Sequence, residues 1–443
     1  MENFELEISD LGMNGEGIGH FENLTCFVPY ALKDEKVEVT VKKQKDTLCF
    51  CKLEKVLLKS DVRQTPKCPY FAKCGGCDLQ HLKYENSLDF KTDLVKNTLL
   101  KIARLNVEVC KTISSDKHYE YRTKNVFPVG IVNGKTVVGM FEKGTHSIIE
   151  IEKCFLANEK TNAVLQAVST FFKNKNVQGY NFATNKGLVK FVMIQTLGEK
   201  VLVTLVCTKQ PNFLQELVQT LKPICDFGLF CNINKKEGSE ILFGEMKHIC
   251  GLSQLKDKLF EIEYEISPFS FMQVNQSVKE KLYSFVLNHI EKDDVVVDAY
   301  SGAGLLSCMM AKKCKKVVGI EIVKSAVIIA NKTKDKNGIK NLENVCGDCG
   351  AELGGIVERE NPNTIVLDPP QKGCDEQVLK QTLNSGAQKV IYISCNPKTL
   401  ARDLLLLQEK FDVCCVQPFD MFPQTACVET CVILGSKSFA KKV

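Results

Sequence analysis

The sequence predicts a multidomain chain: an N-terminal OB-like β-barrel, a central α+β domain and a C-terminal α/β Rossmann-like domain. Three observations carry this. Residues 1–60 alternate apolar and polar side chains in period two. Residues 61–84 are poor in aliphatic side chains yet hold three closely spaced cysteines. After residue 275, continuous apolar strands alternate with helices, the pattern of a parallel sheet covered on both faces.

The first segment holds two period-two strands, ENFELEIS and EKVEVTVKK, and the glycine-rich turn LGMNGEGIGH. Short strands of this kind suit a small OB-type barrel, a fold that often holds nucleic acid. Residues 85–105, ENSLDFKTDLVKNTLLKIARL, place apolar residues three and four apart and read as an amphipathic helix. From about 120 to 265, strand-like stretches surround a helix near 160–173. Boundaries are therefore set at 1–60, 61–265 and 266–443, with helix 85–105 free to pack on the third domain.

Composition agrees with soluble globular domains: 443 residues, 44% hydrophobic and 25% charged. A net charge of +5 permits nucleic-acid binding where basic residues cluster without demanding it. No stretch approaches the roughly 18 apolar residues of a membrane span. The opening MENFELEISD is acidic and polar, unlike a signal peptide. A cytoplasmic monomer without membrane contact is expected. Most of the 22 cysteines, such as Cys207 and Cys431 in apolar runs, read as small buried hydrophobes.

In the third domain, DVVVDAYSGAG places an acidic residue and a glycine turn at the end of a buried strand. Glycine there lets backbone approach a ligand at the carboxyl edge of the sheet. The next strand, VVGIEI, carries Glu321, about 20 positions on, where an acidic side chain suits two ribose hydroxyls. The G-x-G-x-x-G phosphate cradle is incomplete, which favours a cofactor without pyrophosphate. A further strand ends in LDPPQKG, where Asp368 precedes two stiffening prolines. VIYISCNP then sets Cys395 at a polar strand end, a place for a nucleophile rather than an inert core thiol. Glu429 in CVETCVIL is a carboxylate among apolar strand residues, either a paired structural group or a proton acceptor of shifted pKa.

In the second domain, CPYFAKCGGCDLQH arranges Cys68, Cys74 and Cys77 as C-x5-C-x2-C. Three thiols this close, with glycines allowing tight wrapping, point to metal or cluster ligation. A fourth ligand is required, and four thiolates suit either zinc or a [4Fe–4S] cluster.

LDPPQKG, ISCNP and VET, in this order, resemble the 5-methyluridine RNA methyltransferases, the TrmA/RumA family. The resemblance extends over nearly the whole chain. It implies S-adenosylmethionine as cofactor, contacted by Gln273, Tyr300, Gly302, Glu321, Asp348 and Asp368. It also implies Cys395 as nucleophile and Glu429 as general base. It adds Cys154, in IIEIEKCFL, as the fourth thiolate, and favours the [4Fe–4S] cluster, so the central domain is expected to be an iron–sulfur domain. MNGEGIGHFENLTCFVPYALKDEKVEV resembles a TRAM domain, an RNA-binding module. TRAM and cluster together resemble the enzymes acting on 23S ribosomal RNA, with transfer RNA as the alternative. Tyr121, Arg122 and Lys124 match a segment that lies near RNA. This chain departs from the family's common pattern at Gln371, Cys427 and Ser301, where arginine, histidine and cysteine are usual. Two other classes fit parts of the pattern: an amino-group methyltransferase, which needs no nucleophile, and a non-catalytic cluster-bearing RNA-binding protein.

Overall fold

A computed structural model describes residues 3–237, 240–270 and 272–437. Five strands, β1 (Phe4–Leu11), β2 (Gly17–Phe21), β3 (Leu24–Val28), β4 (Lys36–Lys45) and β5 (Leu48–Leu58), close a barrel in the order β1-β2-β3-β5-β4. The period-two alternation has its cause here. Leu6, Ile8, Val28, Val37 and Val39 fill the interior with Cys26, Cys49 and Cys51, while the alternate positions face outward. At the barrel's exit the buried Glu35 carboxylate accepts hydrogen bonds from Arg63 and, at 2.8 Å, from the backbone N–H of Leu32.

The predicted helix 85–105 is two pieces. α1 spans Tyr84–Thr98, and one wide π-type turn follows over Leu99–Ala103, ending at left-handed Arg104. The wide turn keeps both Leu99 and Ala103 facing inward while Leu100 and Ile102 are exposed. The buried face, with Phe90, Leu94, Val95, Leu99 and Ala103, joins a core containing Leu353, Val390, Leu400 and Leu404 of the C-terminal domain. Lys91 is fully buried on this face. It pairs with Asp420, which also accepts the Tyr84 hydroxyl at 2.7 Å.

The central domain contains β6 (Lys124–Val132), β7 (Lys135–Phe141), β8 (Ile148–Glu150), α2 (Glu159–Asn174), β9 (Val189–Leu197), β10 (Lys200–Cys207), α3 (Leu214–Leu221), β11 (Asp226–Ile233) and β12 (Glu245–Gly251). Its strands form one sheet in the order β12-β11-β10-β9-β6-β7-β8, and α2 and α3 bury Leu165, Phe172, Leu217 and Leu221 in its core. Asn158 caps α2 by accepting the N–H of Thr161. A hairpin, β13 (Leu255–Leu259) and β14 (Ile262–Ile266), packs Leu255, Ile262 and Ile266 into a C-terminal core with Val296 and Met310. The same core takes in Leu202 and Phe230 of the central sheet, so the hairpin bridges the two domains while burying most of its apolar side chains with C-terminal residues.

The C-terminal domain runs α4 (Gln276–Asn288), β15 (Val295–Ala299), α5 (Leu305–Ala311), β16 (Lys316–Glu321), α6 (Lys324–Lys336), β17 (Leu342–Cys346), α7 (Cys349–Glu360), β18 (Thr364–Leu367), α8 (Glu376–Asn384), β19 (Lys389–Ser394), α9 (Pro397–Leu407), β20 (Phe411–Phe419) and β21 (Glu429–Ser436). The strand order is β17-β16-β15-β18-β19-β21-β20; the first five are parallel, and β21 pairs antiparallel with both neighbours. Apolar residues on both faces explain the continuous hydrophobic strands.

Candidate active site and four-thiol site

The parallel strands β15, β16, β17, β18 and β19 deliver Tyr300, Glu321, Asp348, Asp368 and Cys395 to one edge, each at or just beyond a strand's carboxyl end. This is where open α/β sheets bind ligands. Tyr300 and Gly302 hold positive φ of 68° and 56°, the left-handed backbone of the turn. Gly302 pays no Cβ penalty there. Glu321 braces this turn: its carboxylate accepts the Gly302 N–H at 3.0 Å and the Val323 N–H at 2.7 Å. Each oxygen keeps a lone pair for a further donor. Asp348 caps α7 through the Gly350 N–H at 2.9 Å. Gln273, just before α4, is buried.

Cys395 and Glu429 meet through strand order. β21 lies beside β19 with Ser394 opposite Thr430, so the next residue along β19 comes level with Glu429, the first residue of β21. Glu429 is 3% exposed and Cys395 half-buried. The SCNP turn is locked to the DPPQKG turn: Asn396 donates to the Gln371 carbonyl at 3.1 Å while capping α9.

The electrostatics of this edge are acidic. Burial first, then Glu429, Asp368 and Cys427, push the Cys395 thiol up to about 12. Burial and Asp298 raise Asp368 to about 7. Burial and Asp368 hold Glu429 well above the usual carboxylate range. Asp298 is itself raised to about 7 by burial and Glu321, against a hydrogen bond from Ser307. Tyr283 on α4 lies close enough for Asp368, Asp298 and Glu429 all to raise its pKa. No lysine or arginine among the described residues offsets these carboxylates. Asp298 and Tyr283 went unassigned in the sequence; an acid inside the apolar run DVVVDAY was the available signal for the first, and none marked the second.

Cys68, Cys74, Cys77 and Cys154 converge at a second place, each half-buried. Cys154 raises the pKa of the other three, after burial as the main cause for each. The loop is wrapped by the Gly75 N–H to the Phe141 carbonyl at 2.9 Å, the Gly76 N–H to the Cys74 sulfur at 3.3 Å, and the Cys68 N–H to Gln80 at 3.1 Å. Cys154 is placed by the Asn162 amide, which accepts its N–H at 2.9 Å. Such a set is repulsive as thiolates and fits a cationic centre that offsets the charge.

The segment expected near RNA makes contacts within the protein. Tyr121 is buried, its hydroxyl donating to the Pro423 carbonyl at 3.1 Å. Lys124 reaches the Ser270 carbonyl at 3.3 Å, and Arg122 donates to the Lys124 carbonyl at 3.1 Å. Tyr121 and Lys124 thereby tie the central and C-terminal domains together, while the Arg122 side chain bonds within its own strand segment.

A closed barrel ahead of a sheet with acidic strand ends and a glycine turn is a methyltransferase architecture with an attached nucleic-acid module. Comparison with known proteins specifies it. The family description "tRNA (Uracil-5-)-methyltransferase" matches residues 83–437, and "TRAM domain" matches residues 2–50. A protein named an uncharacterized RNA methyltransferase from Clostridium acetobutylicum is 36% identical, with 97% of this chain and 96% of its own length covered. One of the same description from Listeria innocua is 34% identical over 98% of both. The crystal structure of Pyrococcus abyssi tRNA (uracil-54, C5)-methyltransferase, solved with S-adenosyl-L-homocysteine, matches the fold at a TM-score of 0.80. It shares 23% identity, with 97% of this chain and 99% of that one covered. The chain belongs to the tRNA (uracil-5-)-methyltransferase family and is an S-adenosylmethionine-dependent RNA methyltransferase with a TRAM domain. No helix among the described residues is long and apolar enough to cross a membrane.

Proposed function

We propose that the protein methylates C5 of a uridine in 23S ribosomal RNA through a covalent bond between Cys395 and C6. The observation that carries this reading is the strand register that sets the Cys395 thiol level with the buried Glu429 carboxylate. C5 of uracil is a poor nucleophile. Addition of the cysteine sulfur at C6 makes an enolate whose C5 attacks the electrophilic methyl group. Glu429, held in a dry site with its pKa raised, then takes the C5 proton, and elimination frees the sulfur.

S-adenosylmethionine supplies the methyl group and carries a sulfonium cation. The acidic edge, with Asp298, Asp368 and Glu429 lacking any cationic partner among the described residues, supports that charge. In this reading Glu321 would receive the ribose hydroxyls, and Gln273, Tyr300, Gly302, Asp348 and Asp368 would hold the rest of the cofactor, which supplies the methyl group. Cys68, Cys74, Cys77 and Cys154 hold a [4Fe–4S] cluster that shapes the RNA-binding domain.

A 5-fluorouridine RNA substrate tests the mechanism, since fluorine cannot leave as a proton. Wild type is expected to be trapped as an adduct that survives denaturing electrophoresis. Cys395→Ala is expected to give no adduct and no product, and Glu429→Gln to accumulate a methylated adduct on ordinary RNA. Product from Cys395→Ala refutes the covalent route. The second reading is transfer RNA as substrate, favoured by the likeness to the archaeal enzyme over 99% of that chain. Mass mapping of both RNAs from a deletion strain decides: loss of 5-methyluridine from transfer RNA alone replaces the ribosomal assignment. Anaerobic protein is expected to be brown with about four irons per chain; stoichiometric zinc without iron overturns the cluster.

A further inference from the structure

The loop between β20 and β21, residues 420–428, ends at Glu429; the Asp420 N–H donates to the Ile113 carbonyl at 2.9 Å, and three further segments hold the rest of the loop. Lys91 of α1 donates to the Phe422 carbonyl at 3.1 Å, and Tyr121 donates to the Pro423 carbonyl at 3.1 Å. The third hold comes from the four-thiol loop itself. The backbone N–H groups of Asp78 and Leu79 both donate to the Gln424 carbonyl at 3.0 Å. The Asp78 carboxylate accepts the Ala426 N–H at 3.3 Å with one oxygen and Lys143 at 2.7 Å with the other. Gln424 is thereby held at a positive φ of 69°, an unfavourable backbone for a residue with a Cβ. Asp78 follows directly after Cys77. Asp78, with the neighbouring Leu79 N–H, thus joins the four-thiol loop to the loop that carries Cys427 to the site and leads into the strand of Glu429, and of the two only Asp78 also hydrogen-bonds with its side chain.

We propose that Asp78 is a positioning residue for the proton-removal step, coupling the place of the four-thiol loop to the place of Glu429. Its carboxylate fixes the Ala426 amide, and its backbone fixes Gln424, so the first residue of β21 starts from a defined point. The hydrogen bonds of Asp78 converge on the loop that leads into Glu429, so the proposal puts its effect on turnover. The inference rests on Glu429 as the base.

The test compares Asp78→Asn, which keeps an oxygen acceptor without the charge, and Asp78→Ala, which keeps none. Release of tritium from C5-labelled uridine in RNA reads proton removal directly, and iron content and KM for RNA are measured on the same preparations. Expected is a graded slowing, small for Asp78→Asn and at least about tenfold for Asp78→Ala. Iron content is expected to stay constant and KM within about twofold of wild type, with the methylated adduct accumulating in the alanine variant. Wild-type release rates in both variants overturn the proposal, as does a rate loss that only follows iron loss across the pair. The wild-type control separates the two levels of failure. No adduct from wild type on fluorinated RNA defeats the Cys395–Glu429 reading itself; a wild-type adduct with normal release by Asp78→Ala defeats only the coupling.

Discussion

Cys395 is expected to be a sluggish thiol in the free enzyme, although it is the proposed nucleophile. Raised from 9.0 to about 12, its ionisation costs on the order of 4 kcal/mol more than that of an ordinary thiol. At pH 8 the thiolate fraction falls from roughly one tenth to about one in ten thousand. The more basic thiolate is intrinsically faster, by about 15- to 30-fold for a Brønsted slope near 0.4–0.5. Alkylation of Cys395 should then be some 30- to 60-fold slower at pH 8 than that of a thiol at the ordinary value. The assay is timed labelling with iodoacetamide across pH 7–10, read by peptide mass spectrometry, with the exposed Cys346 and Cys414 as internal references. The rate at Cys395 should rise about tenfold per pH unit with no plateau. Labelling of Cys395 at the reference rate, or a plateau below pH 9, refutes the reasoning.

Other outcomes follow from the same site and its supports. Glu321→Ala removes the carboxylate proposed to accept two charge-assisted hydrogen bonds from ribose and should weaken S-adenosylmethionine binding by ~2–4 kcal/mol; unchanged calorimetric affinity removes Glu321 from the cofactor site. Asp298, raised to about 7, favours folding while protonated, so its contribution is full below about pH 4 and is lost as pH rises through 7. Asp298→Asn should accordingly raise the apo-protein Tm at pH 8 more than at pH 5, and a lower Tm at pH 8 contradicts this. Lys91→Met leaves Asp420 charged in a dry core and should cost about 3–5 kcal/mol in urea unfolding, most of it recovered in Lys91→Met/Asp420→Asn. A silent single variant would show that the pair is solvated.

The parallel sheet was legible because its inner strands are largely apolar, as in VVVDA and VIYIS, and because the chemistry collects at strand ends that punctuation such as SGAG, DPP and SCNP makes visible; the edge strand β17, LENVC, carries Glu343 and Asn344 and gave no such signal. The thiol triplet was legible for a similar reason: ligands close in sequence are close in space. What escaped depends on non-local order. Nothing local says that the last strand inserts between β19 and β20, the arrangement that brings Glu429 level with Cys395. Resemblance alone places Tyr121 and Lys124 near RNA, and nothing local announces that they bond to Pro423 and Ser270, residues far along the chain. The hairpin 255–266 carries the same alternation whichever domain it covers, so its allegiance to the C-terminal core was not encoded in its pattern.

The buried pair of Lys91 and Asp420 joins residues 329 positions apart, and that distance becomes a delay at the ribosome. At synthesis rates of about 5–20 residues per second, α1 emerges roughly 15 to 70 seconds before the partner of its lysine exists. During that interval Phe90, Leu94 and Val95 have no sheet to cover, while the barrel and the central sheet already have all their strands. The nascent chain therefore passes through a stage with two completed domains and a sticky helix strung between them. Any factor that shields nascent chains should be found on this helix, and stalling translation before residue 420 should leave it open to proteolysis while the barrel resists.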